Sequence, residues 1–218
     1  MLNVSILDAT TPTPIGMLRE DGILALHPSG FYDAISHDSL RIWCHRNGRY
    51  GLPTQELVSW LHDYIGTRRA IEIGSGYGDL AFHLGIPATD NWCQTFPDVK
   101  MYYEVTSQPV IQYPERVEKL DAAAAIAKYQ PEIVIGSWVT QWIDPTLPPP
   151  VGGGNIYGIK EDEIVTAGLT YIMIGNSAVH GDKRVMTFPH EEWKFSFLKS
   201  RSSKPELDRM WVWSPLRS

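Results

Sequence analysis

The stretch "RRAIEIGSGYGDLAFHLGIPATDNW" at residues 68–92 decides the fold. Within it, the apolar run at 70–73 predicts a short buried strand, the glycines predict a turn, and residues 78–84 predict a helix that ends at Gly85. Residues 86–90 then predict a second strand. A strand, a glycine turn and a helix in this order offer unpaired backbone N–H groups and the positive end of the helix dipole to a ligand.

Further strands and helices are predicted on both sides of this stretch. A helix is predicted over 52–65, because Thr54 suits an N-cap and apolar residues recur on one helical face. Residues 91–116 lack a clean period and are expected to be irregular, and the breaker-rich residues 144–158 are expected to form a loop. The other predicted elements are strands at 116–120, 132–138, 170–176, 184–188 and 209–213 and helices at 121–129 and 160–168. This order predicts an α/β fold whose central, mostly parallel sheet has seven strands and is flanked by helices.

Size and charge narrow the classes of protein to consider. The chain has 218 residues, which fits a single domain over 1–218, with 52–218 as its core and 1–51 as an N-terminal extension or lid. The net charge of −6, with scattered Lys and Arg, lacks the broad basic surface of a duplex-binding protein, so duplex nucleic acid is not expected as a partner; a local basic patch at Lys183 and Arg184, or at Lys199 and Arg201, is the alternative. Two cysteines without CxxC spacing indicate a reducing compartment and no metal site. No signal sequence or membrane-spanning run is visible, so a soluble, cytoplasmic protein without a membrane partner is expected.

The spacing of the glycines points to one kind of nucleotide-containing cofactor. Gly74, Gly76 and Gly78 follow the pattern G-x-G-x-G, whereas the dinucleotide fingerprint G-x-G-x-x-G would place its third glycine where Asp79 stands. NAD is disfavoured accordingly. With Glu72 two residues before the first glycine, "EIGSGYG" resembles the first motif of the class I S-adenosylmethionine-dependent methyltransferases, whose fold is Rossmann-like.

The resemblance continues in the family's order over about residues 52–180. It implies that Glu72 faces the amino group of the methionine portion, that Asp90 binds the ribose hydroxyls, and that Asp121 with Ala122 contacts adenine. The implied cofactor is S-adenosylmethionine, with S-adenosylhomocysteine as product. The implied cofactor-binding residues are Glu72, Gly74, Ser75, Gly76, Tyr77, Gly78, Asp90, Asn91, Asp121, Ala122 and Ser137.

Each of these residue types also has a structural interpretation. Glu72 could be a satisfied carboxylate at a strand end, and the glycines could form a plain tight turn. Asp90 could be an N-cap or turn residue. Asp121 precedes "AAAAIA" and suits a helix N-cap, a role that is compatible with adenine contact.

The cluster "SWVTQW" at 137–142 follows the predicted strand 132–138, at the edge of the sheet where open α/β sheets bind ligands. Expected substrate-binding residues are Trp138, Thr140, Gln141 and Trp142, together with Tyr50 ahead of the first helix. Alternatively, these aromatic side chains pack in the core or against the N-terminal segment. His180, just past the strand at 170–176, is the candidate general base, with a surface histidine as the alternative. Ser137 is the second candidate catalytic residue.

Together these features predict an S-adenosylmethionine-dependent methyltransferase that acts on a small-molecule or protein acceptor. Family members that methylate nucleic-acid amino groups commonly carry Asn/Asp/Ser-Pro-Pro-aromatic after the fourth strand, where this chain has "GSWV", so that reaction is not expected. The alternatives are a non-catalytic S-adenosylmethionine-binding or regulatory module, an enzyme that cleaves S-adenosylmethionine, and a nicotinamide-dependent oxidoreductase.

Overall fold

The computed structural model describes residues 14–147 and 154–215. The predictions for residues 1–13 and for the middle of the 144–158 loop, residues 148–153, lie outside the described residues. The described helices are α1 (Ser29–Asp33), α2 (His37–Arg46), α3 (Gln55–Ile65), α4 (Asp79–Leu84), α5 (Pro97–Val105), α6 (Ala122–Tyr129), α7 (Glu161–Thr166) and α8 (Ser177–His180). The described strands are β1 (Gly51–Leu52), β2 (Ala70–Ile73), β3 (Ala88–Asp90), β4 (Val117–Lys119), β5 (Ile133–Ser137), β6 (Thr170–Asn176), β7 (Glu191–Trp193), β8 (Lys199–Ser200) and β9 (Asp208–Trp213). None of these helices has the length and apolar character needed to cross a membrane.

A mixed sheet of seven strands forms the centre of the fold, in the order β4–β3–β2–β5–β6–β9–β7. The first five strands in this order are mutually parallel, whereas β9 runs antiparallel to both β6 and β7. A separate antiparallel pair joins β1 to β8. The chain is therefore α/β with a mostly parallel seven-stranded sheet, as predicted, and this architecture is compatible with a Rossmann-like fold.

Helices cover both faces of the sheet, as the sequence of β5 requires. Ile133 and Ile135 belong to the apolar cluster that contains residues of α3 and α4. Val134 points to the opposite face and joins the cluster that contains residues of α6 and α7. Because successive side chains of a strand alternate between faces, a parallel strand covered on both sides is a continuous apolar run.

Local signals set the bounds of the helices nearest the site. Thr54 caps α3 by accepting a hydrogen bond from the N–H of Leu57. Gly85 ends α4 with a left-handed φ of 67°. Asp121 caps α6 by accepting a hydrogen bond from the N–H of Ala124 at 2.8 Å. The predictions of these three helix ends are confirmed.

Residues 91–116 contain α5 and are not wholly irregular, contrary to the prediction. Pro97 occupies the first turn of α5, where a helix needs no N–H group. No residue of α5 is buried, so the helix has no core-facing apolar period that could reveal it in the sequence.

The strand predicted at 184–188 is wrong: Arg184–Thr187 form a short 3-10 helix, and the sheet gains its last strand at β7. Val185 is buried in the core, and Lys183 just before it is held by Glu161 and by the carbonyl of Val139. These contacts fold the segment into a turn despite its strand-like composition. All three residues of β7 are exposed, so no apolar alternation indicates this strand.

The described part of the N-terminal extension packs on α4. The N–H of Leu24 donates to Asp79 at 3.0 Å, and the carbonyl of Leu24 lies 2.8 Å from a ring nitrogen of His83. The extension and β1 share an apolar cluster, made of Met17, Leu24, Tyr32, Leu40, Trp43, Cys44 and Leu52. These contacts of Leu24 attach the extension to α4, the helix that directly follows the glycine turn.

The strand order changes direction at the centre of the sheet. From β2 the chain proceeds through α4 to β3 on one side, whereas β5 and β6 continue on the other side. The loops that follow β2 and β5 therefore diverge and leave a crevice at the carboxyl ends of these two strands. Open α/β sheets bind their ligands at such a switch point.

Candidate functional site

A cavity of about 770 Å³ opens at the switch point. Its lining includes the turn after β2, the residues after β3 and the residues after β5. The predicted residues that line it are Tyr50, Glu72, Gly74, Ser75, Gly76, Tyr77, Asp90, Asn91, Asp121, Ala122, Ser137, Trp138, Thr140 and Trp142. The fold thus gathers residues from separate parts of the sequence around one space.

The turn after β2 depends on its glycines. Gly74, Gly76 and Gly78 have φ values of 57°, 57° and 71°, which side chains with a Cβ rarely adopt. At Gly76, an added Cβ would also lie 3.1 Å from Cδ1 of Ile111, inside the cavity. The three alternate glycines therefore let the backbone itself form the floor of the cavity.

Asp90 ends β3 and faces this turn. Its Oδ2 accepts a hydrogen bond from the N–H of Gly76 at 3.0 Å, and its Oδ1 accepts one from the N–H of Trp92 at 2.8 Å. Burial raises the pKa of Asp90, and hydrogen bonds from these backbone donors and from the side chain of Tyr113 oppose the rise. A carboxylate has about four acceptor positions, so Asp90 can still accept from a ligand hydroxyl.

Glu72, on β2 beneath the turn, is 3% exposed and still lines the cavity. Its Oε2 accepts a hydrogen bond from the N–H of Ala81 in α4 at 2.9 Å. No described residue donates a hydrogen bond to Oε1 or forms an ion pair with the carboxylate. Burial raises the pKa of Glu72 to about 8, with nearby Asp79 and Asp90 adding to the rise. A cationic ligand would relieve this cost of burial.

A buried ion pair supports the turn from the side of the N-terminal extension. Arg49 donates to Asp79, and the carbon at the centre of its guanidinium group lies 3.5 Å from the ring centroid of Tyr77. Burial raises the pKa of Asp79, and the charge of Arg49 opposes the rise. Position 79, where the dinucleotide fingerprint has its third glycine, is therefore occupied by an aspartate that forms an ion pair within the protein.

Two further predicted cofactor residues make structural hydrogen bonds as well as lining the cavity. Asp121 caps α6, as its structural interpretation as an N-cap predicted. Its side chain stays exposed at the cavity rim. Asn91 donates to the carbonyl of Tyr157 at 2.7 Å and accepts from the N–H of Cys93. Asn91 thus ties the segment after β3 to residues 154–158.

The segment after β5 bounds the other side of the cavity. Trp138 has a left-handed φ of 56°, and its N–H donates to the carbonyl of Ile174 at 2.8 Å. Its ring lies edge-on to His180 and 6.4 Å from the ring of Tyr50. A non-glycine residue held in this conformation is often found at binding sites, because the surrounding contacts must fix it.

Three predicted site residues make contacts within the protein and do not line the cavity, namely Gly78, Gln141 and His180. At Gly78 an added Cβ would meet Val117, so the missing side chain lets α4 pack on the sheet. The Nδ1 atom of His180 accepts from the N–H of Asn176 at 2.9 Å, and burial lowers its pKa to about 3. A group with so low a pKa is a weak base at neutral pH.

The cavity also contains residues that the sequence did not single out as ligands. Tyr103 and Tyr113 come from the segment expected to be irregular, and Lys199 comes from β8. The hydroxyl of Tyr103 lies 3.1 Å from that of Tyr50. The aromatic content of residues 91–116 was the only signal for the two tyrosines, and the signal for Lys199 was its place in the short basic segment at residues 199–201.

The charges around the turn select among ligand types. Glu72, Asp90 and Asp121 all line the cavity and have no ion-pair partner among the described residues. A diphosphate would meet these carboxylates, and two of them already occupy N–H groups of the turn and of α4. A ligand with hydroxyl groups and positive charge suits them better. Within residues 14–147 and 154–215, no cluster of three or more His, Cys, Asp or Glu side chains could hold a metal ion.

Neither the family models nor the curated proteins that were compared with this chain give a match.

Proposed function

We propose that this protein binds S-adenosylmethionine in the cavity and transfers its methyl group to a small-molecule or protein acceptor. The observation that carries the proposal is that Glu72, Asp90 and Asp121 line one cavity together with the glycine turn, at the switch point of the sheet, and that none of them has an ion-pair partner among the described residues. The opening motif "EIGSGYG" and its resemblance to class I methyltransferases support the same assignment.

The residues present fit this cofactor chemically. Oε1 of Glu72 is suited to the ammonium group of the methionine portion, because that oxygen receives no hydrogen bond from a described residue. Asp90 is suited to two ribose hydroxyls, and Asp121 at the rim is suited to the adenine amino group. Gly74 and Gly76 allow close approach of the ligand to the backbone.

When bound, the cofactor would supply a methyl group on a cationic sulfur, which an acceptor lone pair displaces as the carbon–sulfur bond breaks and its electrons return to sulfur. The protein's own contribution is to position the two reactants and to exclude water. Val139, two residues after β5, lies in the wall of the cavity nearest the turn, since a Cβ on Gly74 would lie 2.9 Å from its side chain. No proton transfer by His180 is needed for this role.

Calorimetric titration of S-adenosylmethionine and S-adenosylhomocysteine tests the proposal. We expect dissociation constants in the micromolar range for both, and NADH should give no heat at the same concentration. Absence of binding by folded protein at about 1 mM ligand would overturn the proposal.

A second measurement separates methyl transfer from the alternatives. Release of S-adenosylhomocysteine that depends on an added acceptor supports transfer. Consumption of S-adenosylmethionine without an acceptor would instead indicate cleavage, and tight binding without any consumption would indicate a binding module.

A further inference from the structure

The part of the lining that follows β5 lies across β2 from the part that follows β3 and β4, and it has a different composition. Tyr50, Tyr103 and Trp138 meet there, and we call this group the aromatic end; Glu72, Asp90 and Asp121 form the acidic end. The aromatic end is built from the N-terminal extension, α5 and the segment after β5. Three separate segments therefore enclose it.

The rings of the aromatic end are held in place by close contacts. The ring centroids of Tyr50 and Trp138 are 6.4 Å apart, and the tyrosine hydroxyls of Tyr50 and Tyr103 are 3.1 Å apart. A Cβ at Gly51 would lie 3.0 Å from Cδ1 of Trp138, so the indole packs directly on the backbone of β1. Such rigid aromatic faces favour a flat ligand, because stacking needs little further ordering.

Two cations lie near the aromatic end: Lys199 is in the cavity lining, and Arg201 lies against the ring of Tyr50. The pairing of β1 with β8 puts Arg201 beside Tyr50: its N–H donates to the carbonyl of Tyr50, and its guanidinium lies 3.6 Å from the centroid of that ring. Among the described residues, no carboxylate forms an ion pair with Arg201; its side chain donates to the amide oxygen of Gln108. Lys199 lines the cavity on the same strand pair and is bound to Asp33, an exposed residue.

We propose that the aromatic end binds the methyl acceptor, and that this acceptor is a planar aromatic molecule with a carboxylate group. This inference rests on the proposed function. The ring would lie among Tyr50, Tyr103 and Trp138, and the carboxylate would be directed to Lys199 in the lining and attracted by the nearby charge of Arg201. A cationic aromatic acceptor fits poorly, because Arg201 would repel it, and it would gain no carboxylate partner at this end.

Three ring compounds of similar size and different charge provide the test: 4-hydroxybenzoate, 4-hydroxybenzamide and tyramine. Each is titrated by ligand-observed NMR into the wild-type protein saturated with S-adenosylhomocysteine. We expect 4-hydroxybenzoate to bind at least about 10-fold more tightly than the neutral amide, and tyramine to bind most weakly.

The variant Arg201→Gln should weaken 4-hydroxybenzoate binding about 10-fold and leave 4-hydroxybenzamide binding within about 2-fold. Arg68→Gln is the matched control, because Arg68 also stacks on a tyrosine, but its partner Tyr64 is not a lining residue of the cavity, whereas Tyr50 is. Affinity for S-adenosylhomocysteine should stay unchanged in both variants, which shows that the cavity is still folded.

Equal binding of the three compounds, binding of none of them, or an unchanged preference in Arg201→Gln would overturn this inference alone, provided that S-adenosylhomocysteine binds. Absence of S-adenosylhomocysteine binding would overturn the proposed function first. The two failures are therefore distinguished in the same sample.

Discussion

The acidic and aromatic ends of the cavity satisfy their charged groups in different ways. At the acidic end, Glu72 and Asp90 accept hydrogen bonds from backbone N–H groups and have no ion-pair partner among the described residues. Beside the glycine turn, Arg49 and Asp79 neutralise each other in an ion pair. At the aromatic end, Arg201 lies on a ring. A carboxylate held by the backbone is positioned without being neutralised, so the acidic end is the part of the cavity prepared for a cation.

The largest expected effect comes from filling the acidic end. Gly76→Arg would place a long side chain in the cavity from a position whose Cβ is 3.1 Å from Ile111. We expect affinity for S-adenosylhomocysteine to fall about 100-fold or more in calorimetry. Gly85→Arg is the matched control, because Gly85 has a similar φ of 67° but open space around it. If both variants bind equally well, the turn does not contact the ligand.

A smaller loss is expected when the shape of a carboxylate is kept and one acceptor is removed. Asp90→Asn leaves one acceptor oxygen for the N–H of Gly76, the N–H of Trp92 and the ligand hydroxyls together. Affinity for S-adenosylhomocysteine should drop about 20-fold, because hydrogen bonds to charged groups contribute about 1.5–3 kcal/mol. Asp208→Asn, at a buried carboxylate outside this cavity, should leave the affinity unchanged. The opposite ranking would contradict the ribose role of Asp90.

Replacing Glu72 is expected to change the stability of the protein and its ligand affinity in opposite directions. Its pKa is raised from 4.5 to about 8, so its contribution to stability is full below pH 4.5 and is lost as the pH rises through about 8. Glu72→Gln removes this loss and should raise the melting temperature of the ligand-free protein by about 4 °C at high pH and by much less near pH 5. The same variant should weaken S-adenosylhomocysteine binding, since the amide cannot neutralise an ammonium group.

Binding itself should change the protonation of Glu72. An ammonium group beside the carboxylate lowers its pKa, so wild-type protein should release a proton on binding S-adenosylhomocysteine near pH 8. Calorimetry in buffers of different ionisation enthalpy measures this proton. Glu72→Gln should release none, and an equal release from both proteins would assign the proton to another group.

The smallest effect is expected at His180, behind the aromatic end. Its pKa is lowered from 6.5 to about 3, so its stabilising contribution is present above pH 6.5 and is lost as the pH falls toward 3. The NMR signals of its imidazole, assigned with His180→Asn, should therefore stay constant between about pH 5.5 and 8. A midpoint near neutrality would restore His180 as a candidate base.

The order of elements around the acidic end could be predicted because each has a local cause. An apolar run, glycines with left-handed φ, and the caps Thr54 and Asp121 act over a few residues and leave a direct trace in the sequence. The segment wrongly predicted as a strand at 184–188 depends instead on long-range contacts, which leave no local signal in the sequence. The contacts of Lys183 with Glu161 and Val139 are long-range, and the exposed strand β7 has no apolar pattern.

The aromatic end was only partly predictable for the same reason. Trp138 could be identified from its place after a strand, but Tyr103 lies on a helix without buried residues, and Arg201 reaches Tyr50 only through the pairing of β1 with β8. His180 follows a strand that leads to the cavity, yet its ring turns back onto the N–H of Asn176. Sequence order indicates which strand end a residue follows, and tertiary packing decides where its side chain points.

The contact of Leu24 and Arg49 with Asp79 has a consequence for how the chain can be divided. Removing the segment before Gly51 would strip the carboxylate of Asp79, at the start of α4, of its guanidinium partner and of the amide donor from Leu24. A truncated protein that begins at the glycine-motif core should accordingly misfold or aggregate on expression, and limited proteolysis of the intact chain should not yield that core as a stable fragment.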